Sequence, residues 1–168
     1  VAGGRGGGGG GTGGRGRVEG GRVGREGPRR GGGAEGEGDW TMTANARAQL
    51  SLAQAAVPAM QPGSSIVALS SLGSFRTMEN YVLVGTSKAA LESVERYLAV
   101  ELAPAIRVNA VSGGVVETGA LDHFPNREHM LELGARNAAG RIVTPEDIAG
   151  AVAFLCSPDA EMVRGQVL

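Results

Sequence analysis

Residues 66–102 read "IVALSSLGSFRTMENYVLVGTSKAALESVERYLAVEL", and this stretch holds the pattern that decides the fold. It opens with a short apolar run of strand length, residues 66–69, which ends at two serines. From residue 82 to residue 102 apolar side chains recur on one helical face, and Pro104 follows just past the end. The stretch therefore predicts a buried strand followed by an amphipathic helix, which is a building unit of α/β domains.

The segments on either side repeat this alternation. A helix is predicted over residues 41–61, with Pro58 ending or kinking it, and a second β-branched strand within residues 106–111. Another helix is predicted over residues 144–157, because Thr144 suits the N-cap and Pro145 the first helical position. The predicted fold class is α/β, a partial Rossmann-like domain with a doubly wound parallel sheet. Such sheets bind ligands at the carboxyl ends of their strands, which here are Ser70 with Ser71 and residues 112–114.

Residues 1–38 differ from the rest in composition. They hold 20 of the 30 glycines, together with arginine and glutamate and almost no large apolar side chain. Such a segment buries too little surface to offset its ordering entropy, so we predict that residues 1–38 are low-complexity and disordered. The globular part is then residues 39–168. The tract "GRGGGGGGTGGRGR" also resembles segments that follow RNA, a less favoured function because no aromatic residue precedes Trp40 and four glutamates dilute the charge.

Charge and cysteine content narrow the class of protein. The net charge of −1 gives no argument for a nucleic acid or an anionic membrane as partner. A single cysteine, Cys156, excludes an internal disulfide and fits a reducing compartment, so a cytoplasmic location is predicted. No apolar run approaches the ~20 residues of a membrane span, and no signal-peptide core opens the sequence.

Tyr81 and Lys88 form the candidate reactive pair. Lys88 is the only lysine, and a separation of seven residues puts both side chains on nearly the same helical face. Free tyrosine titrates near ~10, and a nearby ammonium favours the phenolate form. A hydroxyl at the end of the adjacent strand, Ser71, is placed to orient a substrate oxygen against Tyr81. In isolation such a pair more often is a boundary aromatic with a solvated lysine, but the unique lysine and Ser71 favour a site.

With these residues in place, the sequence resembles the short-chain dehydrogenase/reductase family. Within that family it is similar to the bacterial enoyl-acyl-carrier-protein reductases of type III, which use NADPH in fatty acid biosynthesis. The similarity covers residues 39–168, read as the C-terminal part of such a domain. The Tyr-x6-Lys spacing is typical of the enoyl reductase branch, whereas most members have Tyr-x3-Lys. The motifs are "DWTMTANARA", "IVALSSLGS", "ENYVLVGTSKAALESVERYLAVEL", "IRVNAVSGGVVET", "HFPNRE" and "GRIVTPEDIAGAVAFLCSPDAEMVRGQ".

The resemblance implies a role for each matching residue. Tyr81 resembles the catalytic tyrosine and Lys88 the lysine that holds the nicotinamide ribose, while Ser71 takes the position of the serine of ketone reductases. Asn45 resembles the asparagine that supports the lysine through a water. The implied cofactor contacts are Lys88, Gly114, Val116 and Thr118, and no metal is implied.

The same resemblance implies partners and a lid. The cofactor is NADPH, with NADH the second choice, and the substrate is a trans-2-enoyl thioester of acyl carrier protein. A homodimer or homotetramer is implied, paired through the helices over residues 41–61 and 82–102. Residues 119–139 resemble a substrate lid, and we assign no chemical role to its His123 and His129.

Three departures from the family pattern shape the remaining expectations. No apolar strand precedes the glycine run of residues 1–38 and no amphipathic helix follows it, so a phosphate-binding turn is not predicted there. The C-terminal strand of the family is also expected to be missing. From these points we expect an incomplete chain without measurable NADPH affinity. Since Ser71 is a serine, reduction of a 3-oxoacyl thioester or another ketone is the alternative activity.

Overall fold

The computed structural model of this chain describes residues 16–19, 22–25, 34–123 and 126–168. Strands β1 (Gly16–Glu19) and β2 (Arg22–Arg25) pair antiparallel. Helices α1 (Ala34–Met42) and α2 (Ala48–Ala56) are joined by the π-helical turn Thr43–Arg47, and a 3-10 turn, Val57–Ala59, ends them. The remaining elements are β3 (Ser65–Leu69), α3 (Val82–Glu101), β4 (Arg107–Val111), α4 (Arg127–Ala135) and α5 (Pro145–Cys156).

Strands β3 and β4 are parallel, with Ile66 opposite Val108 and Leu69 opposite Val111. Residues 166–168 pair with the other side of β4, since the Leu168 N–H donates to Ala110 O at 3.0 Å. The expectation that no strand follows α5 is therefore wrong for these residues, which lie parallel to β4. A short polar sequence, "RGQVL", gave no strand pattern by itself. The pairing comes from the β4 backbone beside it.

Helices cover both faces of this sheet, which confirms the predicted Rossmann-like α/β arrangement. On one face α2 and α3 pack against alternate strand residues, with Ala53, Leu98 and Val108 in one buried cluster. On the other face α5 packs through Leu155 against Val111. Because both faces are covered, β4 is buried along its whole length, including the polar residues Arg107 and Asn109.

The first long helix begins at Ala34 rather than near residue 41. Gly36 and Gly38 lower its intrinsic helix propensity, so the sequence gave no helical signal there. The helix packs on α3: a Cβ atom added at Gly38 would lie 3.6 Å from Leu83 Cδ2. Tertiary packing therefore overrides propensity at this end.

Within residues 1–38, which we predicted to be disordered, the structure describes three ordered elements: β1, β2 and the start of α1. The rest of the segment lies outside the described residues. Its disorder, the division at residue 39, the RNA hypothesis and the missing phosphate-binding turn all stay predictions. None of the described helices combines the length and apolar character needed to cross a membrane.

Candidate active site

The carboxyl end of β3 places the first two residues of the candidate site. Ser71 follows this strand and caps the 3-10 turn Leu72–Ser74, because its hydroxyl oxygen accepts the Gly73 N–H at 3.3 Å. The chain then returns, and α3 starts directly after Tyr81. As a result the Ser71 Oγ and Tyr81 OH atoms lie 3.0 Å apart, within hydrogen-bonding distance.

Lys88 lies two turns into α3, on the side that faces the end of β3. Its ammonium donates to Leu69 O at 2.7 Å. Burial of this side chain lowers the pKa of Lys88 below its ordinary value. An ammonium carries three N–H donors, and among the described residues only the Leu69 carbonyl accepts one. Two donors thus remain for a ligand.

Asn45 contacts the residue before the lysine rather than the lysine itself. It lies in the π-helical turn Thr43–Arg47, and its Nδ2 donates to Ser87 Oγ at 3.0 Å and to Thr41 O at 3.2 Å. Ser87 in turn donates to Val84 O at 2.8 Å. Turns of this kind often lie at functional sites. Asn45 is thus linked through Ser87 to the α3 backbone next to Lys88. Asn45 does not line the cavity described next.

A cavity of about 190 Å³ joins the predicted residues. It contains Ser71, Tyr81 and Lys88 from the β3 side and reaches the loop after β4. All three cofactor contacts assigned to that loop lie in its wall: Gly114, Val116 and Thr118. Ser70, predicted at a ligand-binding strand end, lines it too, and the sequence did not single out the five others, which are Leu72, Met78, Val115, Leu121 and Met130.

The shape of this cavity fits the ring end of a nicotinamide nucleotide. Gly114 has a φ of +72°, a left-handed value that favours glycine, so bare backbone forms the wall there. The missing side chain lets a ligand approach the Gly114 backbone closely. The cavity volume of about 190 Å³ is below the ~300 Å³ of pockets that enclose drug-sized ligands. The two unused donors of Lys88 point to a hydroxyl-bearing neighbour of that ring, such as a ribose.

Two apolar side chains close the cavity from the predicted lid. Leu121 comes from the 3-10 segment Gly119–His123 and Met130 from α4, and both are buried. Arg127 ties these parts together, since it binds Glu117 at 2.9 Å and Asp122 at 3.1 Å. Leu121 and Met130 both fall within the predicted lid, residues 119–139, but no local pattern identified them as cavity residues.

The two histidines of this segment differ in what the structure describes. His129 is exposed on α4. The side chain of His123 lies outside the described part of the chain.

Ser70 adds a contact that the sequence did not reveal. Its hydroxyl donates to the carboxylate of Glu92, which is 8% exposed on α3 one turn after Lys88. A carboxylate within a helix of mixed composition gives no pattern that distinguishes it from a solvated residue. The contact joins the end of β3 to α3 beside the Ser71–Tyr81 pair.

Comparison with known proteins gives a consistent family. The family model described as Enoyl-(Acyl carrier protein) reductase matches residues 35–168. The 1-cyclohexenylcarbonyl-CoA reductase of Streptomyces collinus is 44% identical over 120 residues, which cover 69% of this chain and 43% of that protein. The chain spans about half the length of the curated relatives it matches.

Solved structures agree with this family. The enoyl-(acyl-carrier-protein) reductase (NADH) of Aquifex aeolicus superposes with a TM-score of 0.75 at 32% identity, covering 82% of this chain and 54% of that one. A short-chain dehydrogenase/reductase of the glucose/ribitol dehydrogenase type from Brucella melitensis gives a TM-score of 0.72 at 36% identity, covering 78% and 53%.

Proposed function

The chain belongs to the short-chain dehydrogenase/reductase family, within the group whose family model is described as Enoyl-(Acyl carrier protein) reductase, and from this membership we propose an activity. The protein reduces the carbon–carbon double bond of a trans-2-enoyl thioester with a nicotinamide nucleotide. NADPH is the preferred form in this proposal and NADH the alternative. The observation that carries it is the Ser71–Tyr81 hydroxyl pair, 3.0 Å apart, in one cavity with Lys88.

Tyr81 supplies the hydrogen bond on which the proposed reduction depends. As the double bond is reduced, negative charge develops on the thioester oxygen, and a fixed donor at that oxygen lowers the barrier. Ser71 Oγ accepts the Gly73 N–H and lies 3.0 Å from Tyr81 OH, where either hydroxyl can donate to the other. In this proposal Ser71 donates to the Tyr81 oxygen. In that arrangement Tyr81 offers its proton to the substrate oxygen.

Lys88 supplies a positive charge in the same region. Its ammonium is anchored on Leu69 O, which keeps a positive charge beside the cavity where the oxygen becomes anionic. Burial strengthens this effect because less water screens the charge.

The cofactor is held, in this proposal, by residues from both sides of the cavity. Lys88 binds the ribose, while Gly114, Val116 and Thr118 hold the nicotinamide ring and its amide. When bound, the nucleotide supplies a hydride to the β-carbon of the enoyl group. Leu121 and Met130 exclude water from this end of the cavity.

The acyl carrier and the oligomer are further parts of the proposal. Acyl carrier protein is the proposed carrier, with coenzyme A as the alternative that the Streptomyces relative favours by its name. Copies of the chain are proposed to pair through α2 and α3, which carry exposed apolar side chains at Leu52, Tyr97 and Val100. The single, exposed Cys156 accords with a cytoplasmic location.

The experiment uses protein expressed from its complete reading frame. Oxidation of NADPH and of NADH is followed with crotonyl thioesters of acyl carrier protein and of coenzyme A. We expect oxidation with at least one carrier, lower by about 10²–10³-fold in Tyr81→Phe because one donor to the developing oxyanion is lost. Tyr97→Phe is the matched control, since Tyr97 lies on α3, the helix that follows Tyr81, but does not line the cavity. Failure of every enoyl thioester to oxidise either nucleotide would contradict the proposal.

Reduction of a ketone is the second candidate, and Ser71 is the observation that favours it. A serine hydroxyl 3.0 Å from Tyr81 OH is also able to orient the oxygen of a ketone. Parallel assays with crotonyl and acetoacetyl thioesters separate the two activities. A higher kcat/KM for acetoacetyl thioester would replace the enoyl assignment with a ketone reductase.

A further inference from the structure

We propose that Gly73 is a positioning residue for the Ser71–Tyr81 pair, acting with Gly85. Its amide holds Ser71, and the space left by its missing side chain receives the ring of Tyr81. This inference rests on the proposed function, because it explains how the two reacting hydroxyls are kept at one distance. Neither glycine touches the substrate in this proposal.

The first observation is the contact between Gly73 and the Tyr81 ring. A Cβ atom added at Gly73 would lie 2.5 Å from both Cδ1 and Cε1 of Tyr81. Separations below about 3.0 Å do not occur for real Cβ atoms, so any side chain at position 73 displaces the ring. The edge of the ring thus lies against the 3-10 turn Leu72–Ser74 itself.

The second observation is that Gly85 lets this turn approach α3. A Cβ atom added at Gly85 would lie 2.6 Å from Gly73 O, which is a backbone atom. Gly85 follows Tyr81 by one helical turn, and its amide donates to Tyr81 O at 2.7 Å. A side chain at position 85 therefore pushes the whole turn, including its capping residue Ser71, away from the helix.

Together the two glycines fix both partners of the hydroxyl pair. The Gly73 N–H donates to Ser71 Oγ at 3.3 Å, while the Gly73 Cα supports the Tyr81 ring. Position 73 thus requires glycine because the Tyr81 ring lies against its Cα atom. The backbone of Gly73 contacts both residues of the hydroxyl pair, Ser71 through its N–H and Tyr81 through its Cα. A substitution there changes the distance of 3.0 Å between Ser71 Oγ and Tyr81 OH.

The alternative is that these glycines only allow the turn to pack on the helix. In that case Gly73→Ala lowers the free energy of unfolding, and the fraction of protein that stays folded keeps the parent's kcat. A positioning role predicts instead that folded Gly73→Ala protein is slow because Tyr81 is misplaced. The two cases differ in kcat and in whether the effect requires the Tyr81 hydroxyl.

A double-mutant cycle makes this distinction in protein from the complete reading frame. We expect Gly73→Ala to lower kcat by about 100-fold, as a misplacement of about 1 Å does, with little change in KM. In the Tyr81→Phe background the same substitution is expected to change kcat little further, since both act through one hydroxyl. Gly150→Ala is the control, because an added Cβ there meets no atom within 4 Å. An equal, additive loss in both backgrounds would overturn the inference.

A second measurement does not depend on activity. In protein labelled with 3-fluorotyrosine, the ¹⁹F resonance of Tyr81 is assigned by its loss in Tyr81→Phe. We expect it to shift in Gly73→Ala and in Gly85→Ala, while that of the exposed Tyr97 stays in place. An unshifted Tyr81 resonance in both folded variants would overturn the positioning role even if the reductase activity holds. A shifted resonance in a protein that reduces no thioester would support the geometry and reject the proposed function.

Should Gly73→Ala fail to fold, Gly85→Ala carries both measurements. It displaces the turn from the opposite side, because its added Cβ meets the Gly73 carbonyl. The expected kcat loss and the expected non-additivity with Tyr81→Phe are the same.

Discussion

Lys88 is, at the scale of one residue, a partly buried charged group that the proposed function uses and that burial makes less favourable for stability. Burial lowers its pKa, so the folded state binds the proton less readily than the unfolded state does. The folded pKa lies below the unfolded one, and the stability of the folded state therefore falls as the pH falls through this range. A residue of this kind is favoured at a site and disfavoured in a core.

Replacement of Lys88 by methionine separates these two effects. We expect Lys88→Met to lose most reductase activity and to unfold at the same or a higher temperature than the parent at pH 7, because a buried ammonium is removed. Thermal unfolding by circular dichroism and steady-state kinetics are the two measurements. A variant that is both less stable and fully active would contradict this account of Lys88.

Glu95 gives a second prediction at the residue scale. It is 1% exposed on α3, and neither carboxylate oxygen has a hydrogen-bond partner of ordinary geometry among the described residues. Burial raises the pKa of Glu95 to about 7, although the Gln49 side chain acts in the opposite direction. The folded pKa lies above the ordinary value of 4.5, so stability is full at low pH and is lost as the pH rises towards 7.

Glu95→Gln removes this titration. We expect it to raise the free energy of unfolding by on the order of 3 kcal/mol above pH 8, where the parent's buried carboxylate is ionised, and to have little effect at pH 4. The exposed Glu101 on the same helix serves as control through Glu101→Gln. Denaturant unfolding at pH 4 and pH 8.5 measures both, and an equal effect at the two pH values would rule out the titration.

At the scale of elements, local sequence patterns predicted helix ends that are set by capping residues, but not an end that is set by tertiary packing. The capping of α5 was predicted from Thr144 and Pro145, and the structure shows it, with Thr144 and Asp147 forming a reciprocal capping pair. The start of α1 at Ala34 was missed, because it depends on packing against α3 rather than on its own residues.

In the candidate site, too, some residues were predicted from the sequence and others were not. The Tyr81–Lys88 spacing predicted one helical face. Tyr81 is instead the N-cap residue just before α3, and both residues line the same cavity. Glu92, Leu121 and Met130 enter the site only through the tertiary fold, so no local pattern revealed them.

Arg127 provides the prediction for the lid as an element. Its two ion pairs, with Glu117 and Asp122, join α4 to the loop at Thr118. We expect Arg127→Gln to raise KM for the thioester about 3- to 5-fold, since a partly exposed ion pair contributes at most about 1 kcal/mol. Arg136→Gln is the matched control, because Arg136, the C-cap residue of α4, pairs with Glu132 of the same helix. Equal KM changes in the two variants would show that Arg127 does not hold the lid.

At the scale of the whole molecule, the outer faces of α2 and α3 are the strongest sign of assembly. Val100 is 79% exposed and Tyr97 is 70% exposed, although both belong to a helix whose opposite face is buried. Apolar surface of this kind marks interfaces in soluble proteins. A second copy of the chain is the proposed occupant.

Val100→Glu tests this pairing. A charge at the centre of an apolar interface is costly to desolvate, so we expect the oligomer to dissociate in sedimentation velocity at micromolar concentration. Met162→Glu is the control, since Met162 is 89% exposed and lies on the loop after α5. A parent protein that sediments as a monomer, or a Val100→Glu variant that keeps the parent's oligomeric state, would reject the interface.

The central claim, that Tyr81, Ser71 and Lys88 form a reductase site for enoyl thioesters, is tested most directly by hydride transfer. Protein from the complete reading frame is given NADPH and NADH deuterated at the transferable C4 position, with crotonyl thioester, and the product is analysed by mass spectrometry and NMR. We predict butyryl thioester with one deuterium at C3, and about 10²–10³-fold less of it from Tyr81→Phe. Product without deuterium at C3, or an unchanged yield from Tyr81→Phe, would contradict the account.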